Sequence, residues 1–266
     1  MSNIELKQTQ QTLPPEPTNK YLVVSALPDE IEAFYITNVA FNARVGIGGN
    51  VNKTIIKFPN SEQTILTFTS ARMGMPHNSA SIMQVIEKHQ PAYILFVGTC
   101  ASLKSGSNLG DVIIPKTVFN YELGKYKSMS FLPDNESYKM SELILEHAES
   151  IRTSKPDWLN FNVIADDDFS SGSVVVDSRF IKWRIKRRAS RKANGLDMEA
   201  YSLGAIQYLQ KLKHVGVIKG VMDLGIGKSD NSKTLAMKNA ARFAYELLCH
   251  LENADARAME LLRQGQ

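Results

Sequence analysis

The chain has 266 residues, 43% of them apolar and 22% charged, with a formal net charge of +4. That usage is ordinary for a globular chain, and no apolar run approaches the roughly 18–20 residues a membrane span needs. Two cysteines, Cys100 and Cys249, are too few for a disulfide framework or a zinc cluster, so a reducing, cytoplasmic setting is expected.

Residues 1–19 are polar, with prolines at 14, 15 and 17, and read as a disordered tail without the apolar core of a signal peptide. Residues 20–266 read as one domain. Residues 21–26 (YLVVSA) form a buried-strand run, and Pro28-Asp29-Glu30 is a helix-start signal. Residues 54–58 and 64–70 predict a hairpin around Pro59-Asn60-Ser61. A helix follows over 78–89, then strands over 93–97 (YILFV) and from 111 to 114. The second half continues with a helix at 141–152, a strand at 161–165, a helix at 198–212 and a strand at 214–222 (HVGVIKGVM). A last helix carries Ala236, Ala240, Phe243, Ala244, Leu247, Leu248 and Leu251 at helical spacing. Strands alternating with helices throughout predict an α/β fold with a central mixed or parallel sheet.

Two glycine motifs do not carry the function. Gly225-Ile226-Gly227-Lys228-Ser229 resembles the end of a phosphate loop, but Met222 stands where the first glycine should be. Gly46-Ile47-Gly48-Gly49 lacks the third glycine of a dinucleotide loop, since Val51 holds that place, and reads as a turn between strands. Eight Lys and Arg residues crowd 179–192. They are read as a solvated helix face, with nucleic acid or a polyphosphate substrate as the alternative partner.

The run Val97-Gly98-Thr99-Cys100-Ala101-Ser102-Leu103, followed by Gly110-Asp111-Val112-Ile113-Ile114, has another character. Small residues ending a buried strand let a flat ligand approach the backbone, at the strand end where α/β sheets place their sites. These residues resemble the signature of the nucleoside phosphorylase and nucleosidase superfamily. Four further segments match it in order: residues 26–32 (ALPDEIE), 72–80 (RMGMPHNSA), 168–173 (DFSSGS) and 196–200 (LDMEA). A fifth, 219–223 (KGVMD), closes the series. The chain carries Ala101 and Ser102 where the family has glycine, which bears on the width of the base slot.

The resemblance implies a three-layer phosphorylase-like fold, a central mixed sheet flanked by helices, and cleavage of the N-glycosidic bond of a purine nucleoside or nucleotide. Such a reaction needs an acid for the leaving base, a group that holds the sugar as positive charge grows, and a nucleophile. Asp223, ending an apolar strand, is the candidate acid, because burial favours the protonated form of a carboxyl. Glu199 is placed on the ribose hydroxyls, and Asp197 is left to complement a helix dipole. Glu30 is the candidate for orienting water, in preference to Glu32.

Met198, Phe169, Ser170, Thr99, Cys100 and Ala101 are expected around the base, Phe169 by stacking. Several phosphorylases of the superfamily carry an arginine where this chain has Phe96, so hydrolysis is favoured over phosphorolysis. Arg44 and Arg72 leave a different anion pocket open. Adenine-type substrates are preferred, and the basic stretch is placed to meet 5′-phosphates. No metal or cofactor is expected, no membrane and no nucleic acid; a homo-oligomer, dimeric by preference, is expected by analogy. A phosphorylase and a catalytically silent nucleoside-binding protein are the alternatives.

Overall fold

The computed structural model describes residues 19–37, 44–70, 72, 74–128, 130–134, 136–165, 167–224 and 230–264. The predicted N-terminal tail and the Gly225-Ser229 motif lie outside these, apart from Asn19.

The elements in chain order are β1 (Tyr21–Ser25), α1 (Pro28–Thr37), β2 (Val45–Gly48), β3 (Val51–Lys57), β4 (Glu62–Thr69), α2 (Met75–His89) and β5 (Tyr93–Ser102). Next come β6 (Val112–Ile114), β7 (Thr117–Asn120), β8 (Gly124–Lys127), β9 (Ser130–Pro133), β10 (Ser137–Lys139) and α3 (Glu142–Ser154). The chain continues with β11 (Val163–Ala165), β12 (Asp168–Ser171) and α4 (Arg179–Arg184), which runs into a π-helical turn (Ile185–Ala189). It ends with β13 (Ala193–Asp197), α5 (Ala200–Gln210), β14 (His214–Asp223) and α6 (Asp230–Gln264).

Twelve strands form one mixed sheet whose main path is β10-β7-β12-β13-β5-β1-β4-β3-β2, with β14 against β5 and β6, and β11 against β6. Successive residues of the central strands point to opposite faces. Tyr21, Val23, Tyr93, Leu95 and Val97 pack into one core with Phe34 of α1, Ile144 of α3 and Phe243 and Leu247 of α6. Leu22, Val24, Ile94 and Phe96 pack into the other with Ile82 and Ile86 of α2 and Leu203 and Ile206 of α5. The result is a three-layer α/β architecture, as the alternation predicts. No described helix is long and apolar enough to cross a membrane.

Three features of the fold differ from expectation. The small residues after Val97 are strand, because β14 continues to pair with β5 as far as Ala101 and β13 takes up Ala101 and Ser102. The helix expected from residue 198 begins at Ala200. β13 and the short strands β7 to β10 had no apolar run to announce them.

Of Gly46-Gly49, expected to be a turn between strands, Gly46 to Gly48 belong to strand β2, which pairs antiparallel with β3, and only Gly49 falls in the turn between them. The basic stretch forms α4 and its π-helical turn, held onto the body by Ile181 and Ile185. Its basic side chains are not uniformly solvated.

Candidate active site

β5 changes neighbours along its length. One edge follows β14 throughout, parallel from Tyr93 to Ala101. The other pairs parallel with β1 up to Phe96 and antiparallel with β13 from Ala101. Between them, at Gly98 to Cys100, this edge of β5 pairs with neither β1 nor β13, near the strand's C-terminal end, where open α/β sheets bind ligands.

Glu30 reaches into this gap from the first turn of α1. Its Oε1 accepts the backbone N–H of Thr99 at 2.8 Å and the Thr99 hydroxyl at 3.0 Å. Its Oε2 accepts the N–H groups of Ala26 at 3.2 Å and Leu27 at 3.1 Å. A side-chain carboxylate thus takes the place of the missing strand partner and is only 4% exposed. The approach requires Gly98, whose would-be Cβ lies 2.8 Å from Glu30 Oε1. Glu32 turns the other way, pairing with Arg44 at 2.9 Å on the surface.

Asp197 ends β13 and caps α5. Its Oδ1 accepts the Ser171 hydroxyl at 2.7 Å and the N–H of Glu199 at 3.2 Å, and both oxygens accept the Ala200 N–H at 3.1 Å. The dipole-complementing role expected of Asp197 is therefore present, but it is not the whole of it. Its Oδ2 also pairs with Lys219 Nζ at 3.1 Å, both side chains being 3% exposed or less. Lys219 Nζ lies 3.8 Å above the Phe96 ring centroid, so Phe96 holds a cation rather than an anion. Burial opposes the charge of Lys219, but Asp197, Glu30 and Glu199 outweigh it and hold the amine above its ordinary range.

Glu199 sits just before α5 and does not cap it. Its Oε1 instead accepts the N–H of Gly74 at 3.1 Å, at the turn that opens α2. Gly74 has φ 98°, a left-handed conformation that suits glycine. Burial, and next the Asp197 carboxylate, push the Glu199 acid up to about 7, against the pull of Lys219 and the Gly74 N–H.

Asp223 closes β14 opposite Ala101, after a bulge between Val221 and Asp223 that re-aims it at the end of the sheet. It is 5% exposed. Cys100, buried between these groups, has its thiol pushed well up by burial first, then by the carboxylates of Asp197, Asp223 and Glu30, against Lys219. Glu30, Glu199 and Asp223, expected on three separate segments, thus meet around β5.

The residues expected at the base divide. Thr99, Cys100 and Ala101 are buried where β5 passes from β1 to β13, and Met198 is half-buried beside Glu199. Phe169 is fully buried, its ring lying on Gly195 of β13 close to Ile113. It packs into the core in this structure. Ser170 is likewise buried, donating to Gly195 O at 2.8 Å. Sequence reasoning missed Lys219 as a member of the site, although a lysine inside an apolar strand calls for a buried carboxylate partner. Among the described residues no three His, Cys, Asp or Glu side chains are grouped to hold a metal.

The sequence profile of the Phosphorylase superfamily matches residues 20–251. The 5′-methylthioadenosine/S-adenosylhomocysteine nucleosidase of Staphylococcus haemolyticus is 26% identical over 194 residues, covering 69% of this chain and 78% of that protein. The structure of the same enzyme from Helicobacter pylori, in complex with a substituted pyrrolidin-3-ol, matches with a TM-score of 0.71 at 16% identity, over 88% of this chain and 99% of that one. Futalosine hydrolase of Helicobacter pylori matches with a TM-score of 0.70 at 16% identity, over 87% and 97%. The chain belongs to the phosphorylase superfamily.

Proposed function

We propose that this chain hydrolyses the N-glycosidic bond of a purine nucleoside or nucleotide, of adenine type by preference, and releases the free base. The observation that carries it is the meeting of three buried carboxylates at the C-terminal half of β5, Glu30 and Glu199 on the side of β1 and β13 and Asp223 on the side of β14. The names of the relatives point the same way.

In this mechanism the base lies over Thr99 to Ala101 and against Met198, and Asp223 gives its proton to purine N7. The glycosidic electron pair can then leave on a neutral base. Glu199 accepts hydrogen bonds from the ribose hydroxyls, which strengthen as the sugar gains oxocarbenium character. Glu30 orients water and takes its proton. The four hydrogen bonds on its carboxylate use the acceptor positions of both oxygens. Only the Thr99 hydroxyl can rotate away, so its departure admits the water.

Water is favoured over phosphate by two features. Phe96 is occupied by Lys219, and Arg44 is engaged with Glu32 and over the Tyr35 ring. Residues 20–266 are proposed to act as one domain. A reducing, cytoplasmic setting is supported by the free cysteines, and assembly into a homo-oligomer by exposed Val174, Val175, Phe180 and Trp183. The test is free adenine released from adenosine, methylthioadenosine, AMP and ATP. Release from at least one supports the proposal, failure on both nucleotides removes the nucleotide branch, and failure on all four removes the activity.

A further inference from the structure

β14 reaches Asp223 by way of a bulge, and both edges of the strand are pinned just before it. On one edge Val221 pairs with Cys100 of β5, and the register then slips so that Asp223 stands opposite Ala101. On the other edge, pairing with β6 covers Lys219 and Gly220. Gly110 and Asp111, which precede β6, carry that pairing one residue further. The N–H of Gly110 donates to Val221 O at 2.8 Å, and the N–H of Val221 donates to Asp111 O at 2.8 Å. These two are the Gly-Asp pair of the sequence signature, and no step of the reaction uses their side chains.

The turn that carries Gly110 is itself held. Asp111, 3% exposed, accepts the N–H of Asn108 with Oδ2 at 2.9 Å. Gly110 has φ 88°, a left-handed backbone that any side chain would strain. Its carbonyl accepts a hydrogen bond from Asn239 Nδ2 at 2.7 Å. Asn239 belongs to α6, which lies against the same stretch of β14, since a Cβ on Gly220 would run into the Ala236 carbonyl. Two hydrogen bonds thus lead from Asn239, through Gly110, to Val221 at the start of the bulge.

We propose that Asn239 is a positioning residue for glycosidic cleavage: from α6, through Gly110, it fixes the end of β14 and with it the aim of the Asp223 carboxyl at the leaving purine. This rests on the role of Asp223 set out above. In that step the glycosidic electron pair goes to the purine and the Asp223 proton to N7. Water adds to the anomeric carbon and gives its proton to Glu30. Asn239 neither touches the substrate nor exchanges a proton. Met222 has no register partner on β5, so Asp223 takes its direction from where Val221 ends the ladder. A proton crosses only between groups at hydrogen-bond distance, and an error of about 1 Å in a reacting group can cost about a hundredfold.

The test compares the wild-type chain with Asn239→Leu, which keeps the volume and loses the donor. Asn239→Ser, whose side chain stops short of Gly110 O, guards against a folding failure. Glu252→Gln is the control. Glu252 is also on α6 but accepts Lys20, Tyr21, Ser61 and Gln63 at the opposite end of the sheet from Asp223. Its amide takes fewer donors and loosens the helix at a distance. Two substrates are used, a purine nucleoside and 4-nitrophenyl riboside, whose nitrophenolate leaves without an acid. Both Asn239 variants should lower kcat for the purine about tenfold or more with little change in KM, and leave nitrophenolate release unchanged. Glu252→Gln should leave both rates unchanged.

Equal losses on both substrates, no loss on the purine, or the same purine-selective loss in Glu252→Gln would overturn the proposal. Amide hydrogen exchange reads the linkage without turnover. Exchange at the Gly110 and Val221 N–H groups should quicken in Asn239→Leu while β1 exchanges as in wild type, and unmoved exchange at both groups refutes the linkage. If the wild-type chain cleaves no purine nucleoside, the proposed activity fails, while exchange still decides whether Asn239 holds the end of β14.

Discussion

The Glu30 carboxylate and the Thr99 backbone N–H meet at 2.8 Å across the point where β5 has left β1 and not yet reached β13. A sheet that diverges there exposes backbone donors, and an unpaired buried donor is costly. Here one carboxylate satisfies the donor and is fixed by it, so the gap in pairing and the placement of Glu30 have the same origin.

Gly98→Ala tests that relationship. The new Cβ would sit 2.8 Å from Glu30 Oε1, with the flexible carboxylate as the atom that must yield. Turnover should fall at least tenfold while stability falls by only about 1–3 kcal/mol, the usual cost of overpacking. Glu30→Gln should also lose turnover and destabilise, because the amide nitrogen cannot accept two of the four hydrogen bonds the carboxylate takes. Base-release rates beside chemical denaturation separate the two quantities.

Lys219→Met leaves Asp197 buried without its cation. Removing one partner of a buried pair costs about 3–5 kcal/mol, so the variant should unfold at distinctly lower denaturant. Adding Asp197→Asn should recover part of that loss, since the amide needs no counter-charge. Equal stability of Lys219→Met and wild type would contradict the pairing.

Glu199 carries a pH signature. Its acid is pushed from the usual 4.5 up to about 7 in the folded chain, so between those values the folded state binds the extra proton. Stability from this group is present below 4.5 and is lost as pH rises through about 7, on the order of 2–3 kcal/mol. Glu199→Gln should flatten the melting temperature across that window. The ribose hydroxyls need the ionised form, so kcat/KM should fall below about pH 7. A wild-type melting profile no different from Glu199→Gln would refute the shift.

Asp223→Asn should fold normally, because the amide fits the same space at the end of β14. It should lose about a hundredfold or more in purine release, the scale of a general acid. Unchanged turnover would return Asp223 to a loop-capping role.

Much of this arrangement is legible in the chain. Apolar runs such as 21–26, 93–97 and 214–222 mark the central strands, and Glu30, Glu199 and Asp223 stand at element ends where ligands meet α/β sheets. The rest depends on contacts between distant segments. The residues Gly98 to Ser102 look like a turn by composition and become strand because β14 and β13 pair with them. The packing of the Phe169 ring onto Gly195 follows from strand pairing, which its own segment does not announce. The burial of Lys182 Nζ within a basic helix follows from how α4 docks, which no local pattern announces. Lys219 was open to detection, since a charge amid HVGVIKGVM demands a partner.

The most direct test of water attack is base release from a purine nucleoside by the purified chain, with phosphate removed and then restored. On the proposal that Glu30 orients the water, and with Phe96 closed by Lys219, release should proceed at the same rate in both conditions and yield free ribose. A requirement for phosphate, with ribose 1-phosphate as the product, would contradict it.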